Sequence, residues 1–241
     1  DLVFDRTRDS GFQEEKYDAY LTPIVWSKDD LRNLLYSRVR EVYRRQYTSE
    51  SVEFSDVFPK TEKNGSGQAD DYIIERTLLR PRDAIQFSNE CFAGAVDRPR
   101  ISWRALRSAE AKYSVKRLKS LKEEWAEFYP ALEVSVELIR GLVTPFGRSN
   151  ITTQRVQEIS QELCELNVDD VCVKLAKKLY QPKSGVTEAD FVTQVLICLY
   201  HSGIIGIKVS ANATFLWSHI DQPRITRSEV RRANQIKVHK M

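Results

Sequence analysis

The sequence predicts a mainly α fold with small β elements, divided into two domains at 1–147 and 148–241. Three observations lead there. Apolar residues return at three- and four-residue spacing through most of the chain, the pattern of helices with one buried face. The segment Thr144–Asn150 (TPFGRSN) gathers Pro, Gly, Ser and Asn and reads as a boundary. Beyond it, three helical segments precede a hairpin pattern, which is the order of a winged helix.

Residues 2–4 (Leu-Val-Phe) and 21–26 (Leu-Thr-Pro-Ile-Val-Trp) read as short strands flanking a polar, charged loop. Ser27 and Asp30 then form a capping box, with Asp in the place usually taken by Glu or Gln. Leu31, Leu34, Leu35, Val39 and Val42 follow at helical spacing, and Arg32, Arg40, Arg44 and Arg45 make the solvated face opposite. Thr61–Asp71 (TEKNGSGQADD) is a loop by composition. A helix over 72–79 stops before Pro81, because proline disfavours helical geometry in the residue preceding it. Pro81 then suits the first turn of the next helix, which reaches Val96 with Ala84, Ile85, Phe87 and Cys91 inward.

Ser102 caps a long helix that reaches Tyr129; Pro130 interrupts it, and a shorter helix continues to Leu142. After the boundary come helices at 152–165, 168–180 and 187–202. Strands Ile204–Val209 and Thr214–Ser218, joined by Ser210-Ala211-Asn212-Ala213, complete a hairpin, and Ile236–His239 adds a third strand.

Composition sets bounds on function. Of 241 residues, 41% are apolar and 29% charged, an ordinary globular balance. A net charge of +3, from 37 basic and 34 acidic side chains, is too even for a chain-wide nucleic-acid binder, so only local clustering can argue for one. No run approaches the ~20 apolar residues that span a membrane. Cys91, Cys164, Cys172 and Cys198 lack CxxC spacing and lie in apolar helical patterns, which points to reduced core thiols and a cytoplasmic setting. The chain opens at Asp1 and closes at Met241 just after a strand-like run, so both edges read as cuts through a larger protein.

Catalytic patterns are missing. His201, His219 and His239 have no neighbouring ligand-type residue at metal-binding spacing. Glu123-Glu124 and Asp169-Asp170 are adjacent pairs, whose side chains point to different parts of a helix surface. No G-x-S-x-G elbow and no G-x-x-x-x-G-K-[ST] phosphate loop occurs. This segment alone is therefore expected to hydrolyse no nucleotide and to hold no cofactor or metal.

The segment Thr77-Leu-Leu-Arg80-Pro81-Arg82-Asp83-Ala-Ile85 is the most informative. It sets two arginines at the start of a helix, where unpaired N–H groups already favour an anion. A cation in a first turn is unfavourable by the helix dipole, so Arg82 calls for a compensating negative charge. Asp83, another acidic neighbour, or a nucleotide phosphate would each serve.

A second feature is basic. From Arg98 to Lys122 there are nine cations (Arg98, Arg100, Arg104, Arg107, Lys112, Lys116, Arg117, Lys119 and Lys122) against one acid, Glu110. This is either a solvated face or a contact surface for phosphates, with Leu106, Ala109, Tyr113, Leu118 and Leu121 turned inward. The tail adds Arg224, Arg227, Arg231, Arg232, Lys237 and Lys240. By contrast, 187–202, in the place of a recognition helix, has no Lys or Arg; it suits a buried helix or a protein interface better than a DNA groove.

The run from Leu78 to Leu132 (LLRPRDAIQFSNECFAG…ISWRALRSAEAKYSVKRLKSLKEEWAEFYPAL) resembles the lid of bacterial P-loop ATPases of the AAA+/STAND type. These are large proteins found among defence and mobile-element genes, some of them FunZ-like. In related initiator ATPases a Pro-Arg pair opens a lid helix and its arginine reaches the γ-phosphate. The resemblance makes Arg82 that sensor and Arg80 its understudy. Ile24-Val25-Trp26-Ser27 with Asp30, Leu31 and Arg38 is similar to the segment after the first-sensor strand, of which Val3-Phe4-Asp5-Arg6 would be a remnant. Phe215-Leu216-Trp217 with Asp221-Gln222-Pro223-Arg224-Ile225 resembles the hairpin of the family's C-terminal winged helix. The resemblance implies ATP and Mg²⁺ bound by the full-length protein, the rest of the same ATPase chain as partner, and a protein partner or self-association. Nucleic acid bound through the basic helix is the alternative, and no membrane is implied.

Overall fold

The computed structural model describes residues 24–46, 51–60 and 67–241, together with Lys16 and Tyr20. The strand expected at 2–4, the first half of that expected at 21–26, and residues 61–66 of the loop lie outside the described residues. Ile24 and Val25, which are described, form no strand and are exposed. Among the described residues no neighbouring strand pairs with their backbone.

Among the described residues, six α-helices come first. They are α1 (Lys28–Gln46), α2 (Phe54–Val57), α3 (Ala69–Ile74), α4 (Pro81–Ala93), α5 (Trp103–Trp125) and α6 (Leu132–Glu137). The start of α1 is a full capping box. Ser27 Oγ accepts from the Asp30 N–H at 3.1 Å, and the Asp30 carboxylate accepts from the Ser27 N–H at 2.9 Å. Leu31, Leu35 and Val39, one per turn, are buried beneath it.

The helix expected at 72–79 forms earlier, as α3. The chain then turns through Leu79, whose φ of 53° is left-handed, into an extended Arg80. Pro81 occupies the first position of α4, where its missing N–H costs nothing. The Ser102 hydroxyl accepts from the Ala105 N–H at 3.2 Å and opens α5.

Beyond α6 come α7 (Thr153–Glu165), α8 (Val171–Leu179) and α9 (Glu188–His201), then β1 (Ile205–Lys208), α10 (Arg227–Arg231) and β2 (Gln235–Val238). The expected hairpin is reduced to a single bridge, Ile207 to Leu216. β1 takes β2 as its antiparallel partner instead, with Ile205 opposite Val238 and Ile207 opposite Ile236. The third strand of the sequence reading is thus the main one. Phe146 bridges the far side of Ile236 through two backbone bonds of 2.8 and 2.7 Å, so the Thr144–Asn150 boundary is stitched into the sheet. Gly206 is needed where it stands: a Cβ there would lie 2.6 Å from the Trp217 ring.

Apolar side chains gather in two cores. One holds Leu31, Leu35, Phe54, Phe58, Ile73, Ala84, Phe87, Leu106 and Tyr113, with Phe54 stacked on Phe58 and Phe87 on Tyr113. The other runs from Leu78 and Leu121 through Ala131, Leu132 and Leu138 to the helices and strands beyond residue 147. The cores therefore meet inside α5, between Tyr113 and Leu121, rather than at residue 147. In α9 every side chain from Phe191 to Tyr200 is buried. A helix apolar on all sides belongs inside a core, and from Phe191 onward this one lies in it.

Candidate functional site

Arg82, in the first turn of α4, reaches across to the last turns of α5. Its guanidinium donates to Glu124 Oε1 at 2.8 Å and to Ser120 Oγ. Arg80, just before the helix, donates to the other Glu124 oxygen at 2.6 Å. Arg117 donates to Glu124 Oε1 at 3.0 Å, so one carboxylate holds three guanidinium groups. The anion that Arg82 calls for is thus a glutamate 42 residues away, while Asp83 points inward.

Asp83 faces Arg117, with Oδ2 to Nε at 3.2 Å and neither side chain more than 1% exposed. That pair is incompletely bonded: Asp83 Oδ1 and Arg117 Nε and Nη2 have no hydrogen-bond partner among the described residues. Burial pushes the Asp83 carboxyl above its ordinary range against the pull of Arg117. Burial acts on Glu124 in the same direction, but there the hydrogen bond and charge of Arg117, with Arg80, win, and the carboxyl sits below its usual range. The cluster holds three cations (Arg80, Arg82, Arg117) and two acids (Asp83, Glu124), one positive charge in surplus. Arg82, at 64% side-chain exposure, is its most accessible member.

The basic stretch divides in two. Arg117 is fully buried and so is no part of a surface patch, which corrects its place among the phosphate-contacting candidates. Lys116 is tied to Glu90, and Lys122 to Glu133. Arg98, Arg100, Arg104, Arg107 and Lys112 are exposed. In the tail, Arg231 pairs with Asp190 at 2.5 Å and Lys240 with Glu75 at 2.6 Å.

Sequence reasoning passed over a third cluster. Trp217, His219 and His239 meet edge to face, with ring centroids 5.4 to 5.9 Å apart, where the C-terminal strands lie against the first core. With Lys28, Glu75 and Lys240 they line a cavity of about 250 Å³. His219 Nδ1 has no partner among the described residues. Burial, with the nearby charge of Arg80, lowers the His219 pKa to about 4. Burial, then His219 and the arginines and lysine around it, lowers that of His239 to about 3. No group of three or more His, Cys, Asp or Glu among the described residues is placed to hold a metal ion. No helix among them is long and apolar enough to cross a membrane.

Residues 29–122 match a family model described as a FunZ-associated C-terminal helical domain. The match runs from the first turn of α1 to within one turn of the end of α5, and it contains Arg80, Arg82 and Arg117 but not Glu124. No curated protein and no solved structure matches the chain.

Proposed function

We propose that this chain is the C-terminal regulatory region of a P-loop ATPase, in which Arg82 senses the terminal phosphate of a bound nucleotide and couples that state to assembly or to a protein partner. Residues 29–122, as a helical lid, would carry the sensor, and the later helices and strands would serve as a winged-helix-like domain. The phosphate loop and the Mg²⁺ ligands would come from the rest of the ATPase chain. The likeness to a FunZ-associated helical domain supports the setting.

The observation that carries the reading is the sharing of Glu124 among three arginines. An exposed ion pair is worth only about 0–1 kcal/mol. A charge-assisted bond to a phosphate contributes about 1.5–3 kcal/mol. Arg82 can therefore leave Glu124 for a phosphate at little cost, because Arg80 and Arg117 keep the carboxylate neutralised.

In the full-length protein, Arg82→Ala is expected to reduce ATP hydrolysis or ATP-driven assembly roughly 10- to 150-fold, the equivalent of one lost charge-assisted bond. Arg80→Ala should do less. A variant that keeps its full nucleotide response while its melting temperature falls would make Arg82 a clamp on Glu124 and nothing more.

A further inference from the structure

We infer that the exposed face of α5, with Arg98 and Arg100 from the loop before it, binds the phosphodiester backbone of double-stranded nucleic acid without regard to sequence. The inference rests on how the fold allots its acids. Arg32 is matched by Asp29, Asp70 and Asp71, Arg76 by Glu110, Arg140 by Glu137 and Arg231 by Asp190. Arg98, Arg100, Arg104, Lys112 and Lys119 take part in no ion pair or side-chain hydrogen bond among the described residues. Arg98, Arg104 and Lys112 border one groove and Lys119 lies further along the same helix, so their unpaired charge is concentrated here into a local field.

Their arrangement suits a polymer. Arg104, Lys112 and Lys119 lie on one side of α5, and at 1.5 Å per residue the row is roughly 22 Å long. Over that length a duplex offers about a dozen phosphates. At the near end, Gly94, Arg98, Arg104, Ala105, Ser108 and Lys112 border an open groove of about 310 Å³. Its small residues let a phosphate come close to the helix, and Glu90 at its edge is neutralised by Lys116.

An acidic protein is the other polyanion to consider, and the face suits it less. Interfaces between proteins are centred on buried aromatic or apolar anchors. Here Tyr113 is turned into the core, and the large apolar side chains left exposed near the cations are Val96 and Val115, neither of them an aromatic anchor. The same lack of an exposed ring removes the stacking platform that single strands use.

The test is fluorescence anisotropy of the 241-residue chain, without nucleotide, on a labelled duplex of arbitrary sequence at 50 and 200 mM salt. Binding should weaken steeply with salt, with a log–log slope of about −4 for four to five neutralised phosphates. Arg98→Glu, Arg104→Glu and Lys112→Glu together should cut affinity at least about tenfold and flatten that slope. Arg104→Ala with Lys112→Ala, a milder pair, should cut it by a smaller factor if the triple variant folds poorly. Arg227→Glu, Arg232→Glu and Lys237→Glu together make the same change of charge elsewhere and should leave binding nearly intact. Equal losses in both sets would reduce the effect to net charge and overturn the proposal. Tighter binding of polyglutamate than of the duplex would also overturn it, in favour of an acidic protein. Because Arg82 is untouched, either outcome stands apart from the nucleotide-sensing experiment.

Discussion

Replacing Arg117 by methionine is expected to lower stability by about 3–5 kcal/mol, the usual cost of removing one partner from a buried ion pair. Arg117 has no exposed surface, and its loss strands the Asp83 carboxylate in the core and removes one of the three donors to Glu124. Asp83 is already pushed above its ordinary range by burial, and without Arg117 it rises further. A carboxyl raised above its unfolded value is tolerated while protonated and becomes a liability as pH climbs through its folded pKa. The deficit of the variant against the parent should therefore be largest at neutral pH and shrink toward acid. Arg117→Met combined with Asp83→Asn should recover much of the loss, since no buried charge then remains. Urea midpoints of the parent, the single and the double variant decide the matter. A single variant within about 1 kcal/mol of the parent would mean that water or a backbone shift solvates Asp83, and the pair would not be the pin it is taken to be.

Acid should open the seam between the C-terminal strands and the first core. His219 and His239 have folded pKa values of about 4 and about 3, against about 6.5 for a histidine in an unfolded chain. Between those values the unfolded state binds more protons, so stability rises with pH there, is complete above about 6.5, and falls as pH drops toward 4. Both histidines face cations: Arg80 for His219, with Asp221 opposing, and Arg117, Arg76 and Lys240 for His239. Glu75, the carboxylate lining the cavity, is held below its usual range, where Lys240 outweighs its burial. Moving from pH 7 to pH 5 should cost roughly 2–4 kcal/mol, above the window where carboxylates titrate. A His219→Gln, His239→Gln variant should lose much less over the same interval. If denaturation profiles of the parent and this variant fall in parallel, the acid response belongs to other groups.

The sequence disclosed those parts of the fold that short-range chemistry decides. Ser27 with Asp30, Pro81 at a first turn and Ser102 as a cap each act within about four residues, and each stands where expected, whereas the helix expected to reach Tyr129 before Pro130 already ends at Trp125. Pairings across tens of residues were not legible. β1 was expected to pair with the strand next along the chain, yet that segment makes one bridge, at Leu216, and the main partner arrives about thirty residues later. Arg82 showed that it needed an anion, but nothing local could point to Glu124. Arg117 is different, since its signal was there. Tyr113, Arg117 and Leu121 follow at four-residue intervals along the buried side of α5, so periodicity alone set the arginine inside. Counting cations along the sequence concealed that. The histidine seam had no such cue, because His219 and His239 lie on separate segments that come together only once β2 has paired with β1.

The position of α5 across both cores bears on what counts as a module. Sequence likeness ends at residue 122, but physical self-sufficiency does not. A piece cut at that point would keep Arg117 and discard Glu124, and it would leave Leu78 and Leu121 without the side chains that cover them. Such a fragment would carry a cation inside its own interior with half its counter-charge gone. A free-standing version of this domain would therefore need a different acid near Arg117, or a neighbour in another chain to supply one.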